Sequence, residues 1–154
     1  MEEYKQIIDF DDYEISNLGN VRNKYTNKIL SPHIKRDGYY SVNLYNNGKK
    51  KTQKIHRLVA LTFIPNPNNK LCVDHINNDR LNNNVDNLRW ATMQENNFNS
   101  KLSSKNTSGV KGVHFNKTVK KWHAQIRIDG INIYLGLHAS LEEAKQARVE
   151  RANK

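Results

Sequence analysis

Alternating apolar and polar residues dominate the first 55 positions and predict short antiparallel strands joined by tight turns. Residues 13–16 alternate in this way, and residues 40–44 place Tyr, Val and Leu on one side with polar neighbours between them. The Asp-Gly pair at 37–38 and the Asn-Gly pair at 47–48 are dipeptides that hairpin turns prefer. The N-terminal third is therefore predicted to be a small β-rich module.

Residues 55–64 (IHRLVALTFI) change to helical spacing and predict a helix that packs in a core. The prolines at 65 and 67 end this helix, because proline cannot continue one. His56 stands at its start, and we interpret it as a packed or capping histidine in preference to a ligand. The apolar positions of the helix are Leu58, Val59, Leu61 and Phe63.

The residue pattern changes again at 71–99 and predicts a strand, a polar loop, a second strand and a helix. The apolar residues 71–73 run directly into Asp74 and His75, and a loop crowded with asparagine follows. Residues 88–91 form the second strand, and the Thr92–Glu95 spacing is that of a capping box, which opens a helix. The segment is therefore a ββα unit.

The C-terminal part begins after a polar linker and predicts three strands followed by one helix. The strands cover residues 110–115, 122–128 and 131–137, with an Asp-Gly turn between the last two. A second capping box at residues 140–143 opens a helix to about residue 152, whose Ala144 and Ala147 can lie close against a sheet. The expected fold class of the whole chain is α+β.

Composition limits the classes of protein that remain. Hydrophobic residues make up 36% of the 154 residues and the mean hydropathy is −0.87, so no large apolar core is available. No apolar run approaches the roughly 18 residues of a membrane span, and the start MEEYKQ is not a secretion signal. We expect a location in the cytoplasm, or inside the host cell if a virus or mobile element encodes the chain. Cys72 is the single cysteine, which excludes a disulfide framework and a cysteine-rich zinc site.

The net charge of +10 points to a polyanion, and its distribution narrows the choice. Residues 1–14 carry −5, residues 15–70 carry +10, residues 71–100 carry −2 and residues 101–154 carry +7. Two basic segments thus enclose a slightly acidic centre, which suits a metal site facing phosphate. Lys49, Lys50 and Lys51 follow a turn and are interpreted either as a solvated loop or as a loop that contacts phosphate.

Asp74, His75 and Asn96 together suit hydrolysis of a phosphodiester with a single metal ion. A carboxylate and an amide oxygen are hard ligands of the kind that Mg²⁺ or Mn²⁺ prefers. A histidine near neutral pH is a competent general base. Each of the three residues is unremarkable alone, so the interpretation depends on their combination.

The segments HRLVALTF (56–63) and VDHINNDRLNNNVDNLRWATMQENN (73–97) resemble the HNH homing endonucleases, above all the phage intron-encoded nicking type. The resemblance implies a ββα-metal (His-Me finger) nuclease core, with His75 as the general base and Asp74 and Asn96 as metal ligands. Asn87 matches the central asparagine, whose role is structural. It also implies one divalent ion, Mg²⁺ or alternatively Mn²⁺, without zinc, and double-stranded DNA as substrate. The expected products are 5′-phosphate and 3′-hydroxyl ends.

Two further resemblances flank this core and complete the expected domain organisation. Residues 1–55, with YEISNLGNVRN and KRDGYYSVNLYNNGKK, resemble the modular domain that precedes many HNH nucleases and assists DNA binding. The nuclease core follows at 56–99 and a linker at 100–107. Residues 108–154 resemble the APETALA/ethylene-response-factor DNA-binding domain, which lays a three-stranded sheet packed on one helix into the major groove.

Strand alternation in KWHAQIRI separates Trp122, Ala124, Ile126 and Ile128 from a polar face. The polar face is interpreted as DNA-contacting, with a merely solvated face as the alternative, because arginine and lysine read guanine edges and glutamine or asparagine read adenine. The resemblance implies that the groove-facing residues are Lys111, His114, Lys121, His123, Gln125, Arg127, Asn132 and Tyr134.

The expected function is therefore a site-directed DNA endonuclease that nicks one strand, since one active site cuts one strand. A monomer is expected, with a dimer as the alternative, and no membrane is involved. The competing interpretation is a non-catalytic, sequence-specific DNA-binding regulator that retains the HNH scaffold.

Overall fold

The computed structural model describes residues 1–152, which form two compact units. Unit 1 is Met1–Asn99, and unit 2 begins at Ser100. The division falls at the end of the predicted nuclease core. It leaves the two predicted N-terminal modules together in unit 1.

Unit 1 consists of three small antiparallel sheets and two helices. Its first sheet has the strand order β1-β2-β3, its second β4-β5-β6 and its third β7-β8. A single 3₁₀ turn, Val85–Asn87, precedes β8. The elements are β1 (Tyr4–Ile7), β2 (Phe10–Ser16), β3 (Val21–Asn23), β4 (His33–Ile34), β5 (Tyr40–Asn46), β6 (Lys49–Lys54), α1 (Ile55–Phe63), β7 (Cys72–His75), β8 (Leu88–Ala91) and α2 (Met93–Asn99).

One hydrophobic core holds unit 1 together. Helix α1 contacts β1, β2, β5 and β6 of the first two sheets as well as β7 and β8 of the third. Both predicted N-terminal modules thus contribute to the same core. Its buried residues are Ile7, Phe10, Ile15, Val21, Val42, Leu44, Ile55, Leu58, Val59, Ala60, Val73 and Leu88.

Most elements of unit 1 lie where the sequence predicts them. The Asn47-Gly48 turn holds both residues at positive φ, as a two-residue hairpin requires. The three consecutive lysines lie on an exposed strand, β6, and not in a loop, because each pairs with a residue of β5. Leu61 is 53% exposed, so this position of the predicted helical face lies outside the core.

Unit 2 is a three-stranded antiparallel sheet with one helix. Its elements are β9 (Val113–Asn116), β10 (Lys121–Ile128), β11 (Ile131–His138) and α3 (Leu141–Ala152), with β10 in the centre of the sheet. Residues 110–112 were predicted as strand but form a turn. Gly112 has φ +69°, and a Cβ there would collide with the carbonyl oxygen of Gln125, which explains why a glycine occupies this turn.

The core of unit 2 is small. Val113, Ala124 and Ala144 are its buried members, and Trp122 and Leu135 are among the half-buried residues that pack on them. Ala144 lets α3 approach the sheet closely, as the small-residue face of the sequence predicts. The mixture of small sheets and three helices confirms the α+β class. In the part of the chain that the structure describes, no helix has the length and apolar character needed to cross a membrane.

Candidate active site

Strand pairing and a helix cap bring the candidate catalytic residues to one place. In the β7–β8 hairpin, Asp74 stands opposite Arg89 and His75 opposite Leu88. Helix α2 follows β8 after a capping box: the Glu95 amide donates to Thr92 Oγ1 (3.1 Å), and the Thr92 amide donates to the Glu95 carboxylate (2.6 Å). This cap sets the direction in which α2 leaves the hairpin and passes β7.

Asp74 is a buried carboxylate held by two partners. Asp74 is only 4% exposed. Arg89 donates two hydrogen bonds to its Oδ2, one from Nε (2.9 Å) and one from Nη2 (2.8 Å). The Asn99 amide Nδ2 lies 3.0 Å from both carboxylate oxygens. Since Arg89 contacts Oδ2 alone, Oδ1 has only the Asn99 contact among the described hydrogen bonds and is the oxygen less occupied by donors.

His75 is equally buried, at 5% exposure, and its tautomer follows from its hydrogen bond. Its Nε2 lies 3.1 Å from Asn83 Oδ1. The Asn83 amide nitrogen donates to the Leu81 carbonyl, which orients the amide so that its oxygen faces the imidazole. Nε2 therefore carries the proton, and Nδ1 is left as the basic nitrogen. Burial lowers the pKa of His75, against the opposing effect of the Asn83 hydrogen bond.

Asn87 joins the asparagine-rich loop to the hairpin. Its side-chain oxygen accepts from the Asn77 amide (3.1 Å), and its Nδ2 donates to the Asn82 carbonyl (2.8 Å). Its own carbonyl accepts from the Ile76 amide at 2.9 Å. These three bonds hold both ends of the loop that follows His75.

The structure does not bring Asn96 into contact with Asp74. Asn96 is half-buried on α2, and among the described residues its side chain makes no hydrogen bond to that carboxylate. Asn99 makes that contact, and its Nδ2 also lies 2.9 Å from the His75 carbonyl. Residues three apart on a helix share a face, so Asn96 and Asn99 lie on the same side of α2.

Sequence reasoning missed Asn83, Arg89 and Asn99 as members of the site. Asn83 is one asparagine among many in its loop, and no spacing distinguishes it. Asn99 follows Asn96 at a spacing of three residues on a predicted helix, and that spacing was a usable signal. Arg89 stands directly opposite Asp74, but only a predicted strand register could have paired the two.

Asp74 gives the site one hard, anionic ligand. No group of three or more His, Cys, Asp and Glu side chains converges within residues 1–152. Asp74 offers carboxylate oxygen atoms, which Mg²⁺ and Mn²⁺ prefer, whereas Asn99 turns its Nδ2 toward that carboxylate. One carboxylate with amide partners fits an ion that keeps several waters, as Mg²⁺ does.

The predicted DNA-contacting residues occupy two surfaces, one on each unit. In unit 1, Lys49, Lys50 and Lys51 are exposed on β6. In unit 2, His114 stands opposite His123, Gln125 opposite Tyr134, and Arg127 opposite Asn132, so these six share one face of the sheet.

Rings on this face of unit 2 form a continuous row across the three strands. His114 and His123 stack at 4.6 Å, and Tyr134 lies 5.0 Å from His123. Lys121 lies on the same strand as His123, two residues before it, and is exposed. Lys111 differs, because it lies in the turn before β9 and is half-buried. Burial, followed by the charge of Arg148 on α3, lowers the pKa of Lys111.

Comparisons with known proteins identify both parts of unit 1. Residues 2–45 match the NUMOD4 motif, and residues 53–98 match the HNH endonuclease family. The solved structure described as DNA binding and cleavage by the HNH homing endonuclease I-HmuI superimposes with a TM-score of 0.61 and 33% sequence identity. The match covers 86% of this chain and 76% of that one. The chain belongs to the HNH endonuclease family.

Viral and phage proteins are among the relatives of this HNH protein. DNA endonuclease I-HmuI of Bacillus phage SP01 is 39% identical over 95 residues, which are 61% of this chain and 55% of the relative. H-N-H endonuclease F-TflII of Escherichia phage T5 is 33% identical over 111 residues, which are 71% of this chain and 58% of the relative. An uncharacterized HNH endonuclease of Acanthamoeba polyphaga mimivirus is 52% identical over 90 residues, which are 56% of this chain and 22% of the relative. The chain thus spans less than two thirds of each of these relatives.

Proposed function

We propose that this HNH protein is a site-directed DNA endonuclease of homing type that nicks one strand of double-stranded DNA. The single observation that carries the proposal is the juxtaposition of Asp74 and His75, both buried, beside the amide-bearing face of α2. The family and its phage relatives support the reaction class.

Asp74, with an amide oxygen of α2, would hold one divalent ion. That ion, when bound, supplies positive charge to the scissile phosphate and to the leaving oxygen. Asn96 is the predicted amide. Asn99 contacts Asp74 through Nδ2 and would supply its oxygen only with the amide turned over. Arg89 holds Oδ2 and so keeps the carboxylate in one orientation.

His75 acts as the general base. Its Nδ1 accepts a proton from water, while Asn83 holds the protonated Nε2. The water oxygen bonds to phosphorus as the bond from phosphorus to the 3′ oxygen breaks, and the departing 3′ oxygen takes a proton from solvent, which leaves a 5′-phosphate and a 3′-hydroxyl. Because burial lowers the pKa of His75, the imidazole is neutral and able to accept a proton at neutral pH.

The basic surfaces hold the DNA while unit 1 performs the chemistry. Lys49, Lys50 and Lys51 contact phosphates, which position DNA without reading its sequence. The polar sheet face of unit 2 reads base edges in the major groove, as an APETALA-type domain would. A single nuclease centre per chain accounts for a nick as the product, and one chain is sufficient for it.

Nicking of genomic DNA fragments with Mg²⁺ tests the proposal. Wild-type protein is expected to produce single-strand breaks that map to a limited set of sites, and His75→Ala is expected to lose that activity while still binding DNA in EDTA. His33→Ala is the matched control, because His33 is an exposed histidine of unit 1.

Two outcomes separate the endonuclease from a non-catalytic DNA-binding regulator. If wild-type protein binds specific fragments but cuts none with either Mg²⁺ or Mn²⁺, the regulator is favoured and the endonuclease is rejected. If His75→Ala cuts as fast as wild type, the endonuclease stands and the general base is another group.

A further inference from the structure

The proposed base packs against two other rings, one of which belongs to the N-terminal segment. Tyr39 lies in the turn between β4 and β5, directly before β5. Its ring centroid is 4.6 Å from that of His56 and 5.8 Å from that of His75. His56, at the start of α1, lies 5.2 Å from His75. We call Tyr39, His56 and His75 the ring cluster.

The two neighbours contact one side of His75 with differently tilted rings. The Tyr39 plane is tilted by 31° from that of His75, whereas His56 meets it edge-on at 65°. The hydrogen bond to Asn83 fixes only Nε2, about which the imidazole could still swing. Tyr39 and His56, whose ring centroids are 4.6 Å apart, form one packed surface against the imidazole, and this surface limits the swing and holds Nδ1 in one direction.

Tyr39 is itself held firmly by charged groups. The ammonium of Lys54 lies 4.7 Å from its ring centroid and the guanidinium of Arg80 lies 5.1 Å from it. Both cations also bind Asp37: Lys54 pairs with its carboxylate at 2.6 Å, and Arg80 donates to its carbonyl at 3.0 Å. Arg80 belongs to the loop that follows His75, so the turn carrying Tyr39 is tied to the catalytic loop.

His56 occupies its place at an energetic cost. It is 5% exposed, its Nδ1 has no hydrogen-bond partner among residues 1–152, and burial followed by the charge of His75 lowers its pKa to about 3. A buried polar atom without a partner destabilises a fold, and such an atom calls for an explanation. The explanation that we infer is that the flat His56 ring packs edge-on against His75.

We propose that Tyr39 and His56 are positioning residues for His75, so that the NUMOD4 segment supplies part of the nuclease centre in addition to any contact with DNA. The inference rests on the proposed role of His75 as general base. Neither residue exchanges a proton in this role. They act through the orientation of His75 Nδ1.

Single-turnover nicking at saturating DNA, with Mg²⁺, tests the inference on four variants. Tyr39→Leu and His56→Ala are expected to lower the rate constant by about 10- to 100-fold, because misplacement of a reacting group is costly. The DNA concentration for half-saturation should stay within about twofold of wild type, which marks a loss outside ground-state binding. Tyr39→Phe, which keeps the ring, and Tyr25→Leu, a control at a 71% exposed tyrosine, should retain the wild-type rate constant.

Nitrogen-15 NMR of the His75 imidazole supplies a readout that does not require cleavage. Wild-type protein is expected to show one tautomer, protonated at Nε2, and Tyr39→Leu is expected to show exchange between orientations. If wild-type protein fails to cut DNA, the proposed function is rejected, and this spectrum still decides whether the ring cluster orients His75.

Three results would overturn the inference. One is a Tyr39→Leu protein that loses DNA affinity but keeps its rate constant, since Tyr39 would then serve DNA binding alone. Another is an unchanged His75 spectrum in that variant. If circular dichroism shows that Tyr39→Leu does not fold, His56→Phe decides. A rate constant near wild type in this variant supports positioning by packed rings. A large loss of rate in a folded His56→Phe protein rejects it.

Discussion

The two units of this HNH protein distribute their polar groups in opposite ways. Unit 1 buries Asp74, His75, His56 and Asn83 beside a core of twelve buried hydrophobic residues among those described. The core cluster of unit 2 has three buried residues, and His114, His123 and Tyr134 lie together on one face of its sheet. A reacting group benefits from dry, rigid surroundings, whereas a surface that reads DNA must remain accessible.

The largest effect should come from removing the charge at the buried end of β7. Asp74→Asn keeps the shape of the side chain but removes a carboxylate ligand, so the nicking rate should fall by about 10²- to 10⁴-fold, since a bound ion is worth several kcal/mol to the transition state. Mg²⁺ is expected to raise the melting temperature of wild-type protein, since a ligand that binds the folded state stabilises it, and this rise should vanish in the variant. Asp86→Asn, at an exposed position, is the control. A wild-type rate in Asp74→Asn would remove Asp74 from the site.

A core substitution should show how strongly unit 1 depends on its packing. Leu44 is fully buried, and Leu44→Ala should lower the free energy of unfolding by about 2–5 kcal/mol. Urea unfolding in a Trp122→Phe background lets Trp90 report on unit 1. Leu61→Ala, at an exposed position of α1, should cost far less. Equal losses in the two variants would contradict the burial described for β5 and α1.

Alanine at each amide of α2 should separate the two candidate ligands. Loss of a metal ligand or of its hydrogen-bonded neighbour lowers metal affinity by about 10- to 100-fold. Asn99→Ala is expected to do so because Asn99 contacts Asp74 directly. Mn²⁺ binding followed by electron paramagnetic resonance measures the affinity without cleavage. If Asn96→Ala alone weakens binding, Asn96 is the ligand that the family resemblance implies.

The sheet face of unit 2 should affect DNA affinity without affecting the chemical step. Arg127→Ala and Gln125→Ala should each weaken binding to the preferred site by about 1–3 kcal/mol if they read bases. If Arg127 contacts phosphate instead, the slope of log K against log salt should become shallower by about 0.9. Lys117→Ala, an exposed cation in a turn, is the control. Unchanged affinity in a triple variant that adds His123→Ala would exclude this face from DNA binding.

The smallest and most closely matched test compares the two capping boxes. In unit 2 Ser140 Oγ accepts from the Glu143 amide, as Thr92 does from Glu95 in unit 1. Thr92→Ala and Ser140→Ala should each cost about 1 kcal/mol of unfolding free energy. Only Thr92→Ala should also slow nicking, because α2 carries the amides beside Asp74. Equal nicking rates in the two variants would separate the α2 cap from the active site.

The strands and helices were largely predictable because their signals are local. The Asn-Gly and Asp-Gly turns, the two capping boxes and the proline stop each depend on a few neighbouring residues. The turn at residues 110–112 was missed because it depends on the approach of Gly112 to the Gln125 carbonyl, which only the folded sheet creates. Asp74 and His75 could be predicted because they are adjacent and carry a family motif, and the structure places both on β7.

The supporting residues of the site were harder to predict, since they arrive from distant parts of the chain. Tyr39 reaches His75 from 36 positions earlier, and Asn99 reaches Asp74 from 25 positions later. Neither separation leaves a periodic pattern in the sequence. The APETALA-type interpretation of unit 2 stays a prediction, while its predicted sheet and helix are both present.

The shared core of unit 1 also limits how this chain could be assembled from exchangeable parts. A recombination break near residue 55 would separate Ile15 and Leu44 from Val59 and Leu88, which now bury one another, and would leave two incomplete apolar faces. A break near residue 100 cuts no such core. Inheritance of a working enzyme therefore favours transfer of the first 99 residues as a block. Replacement of the segment after residue 99 by another domain should cost far less folding stability.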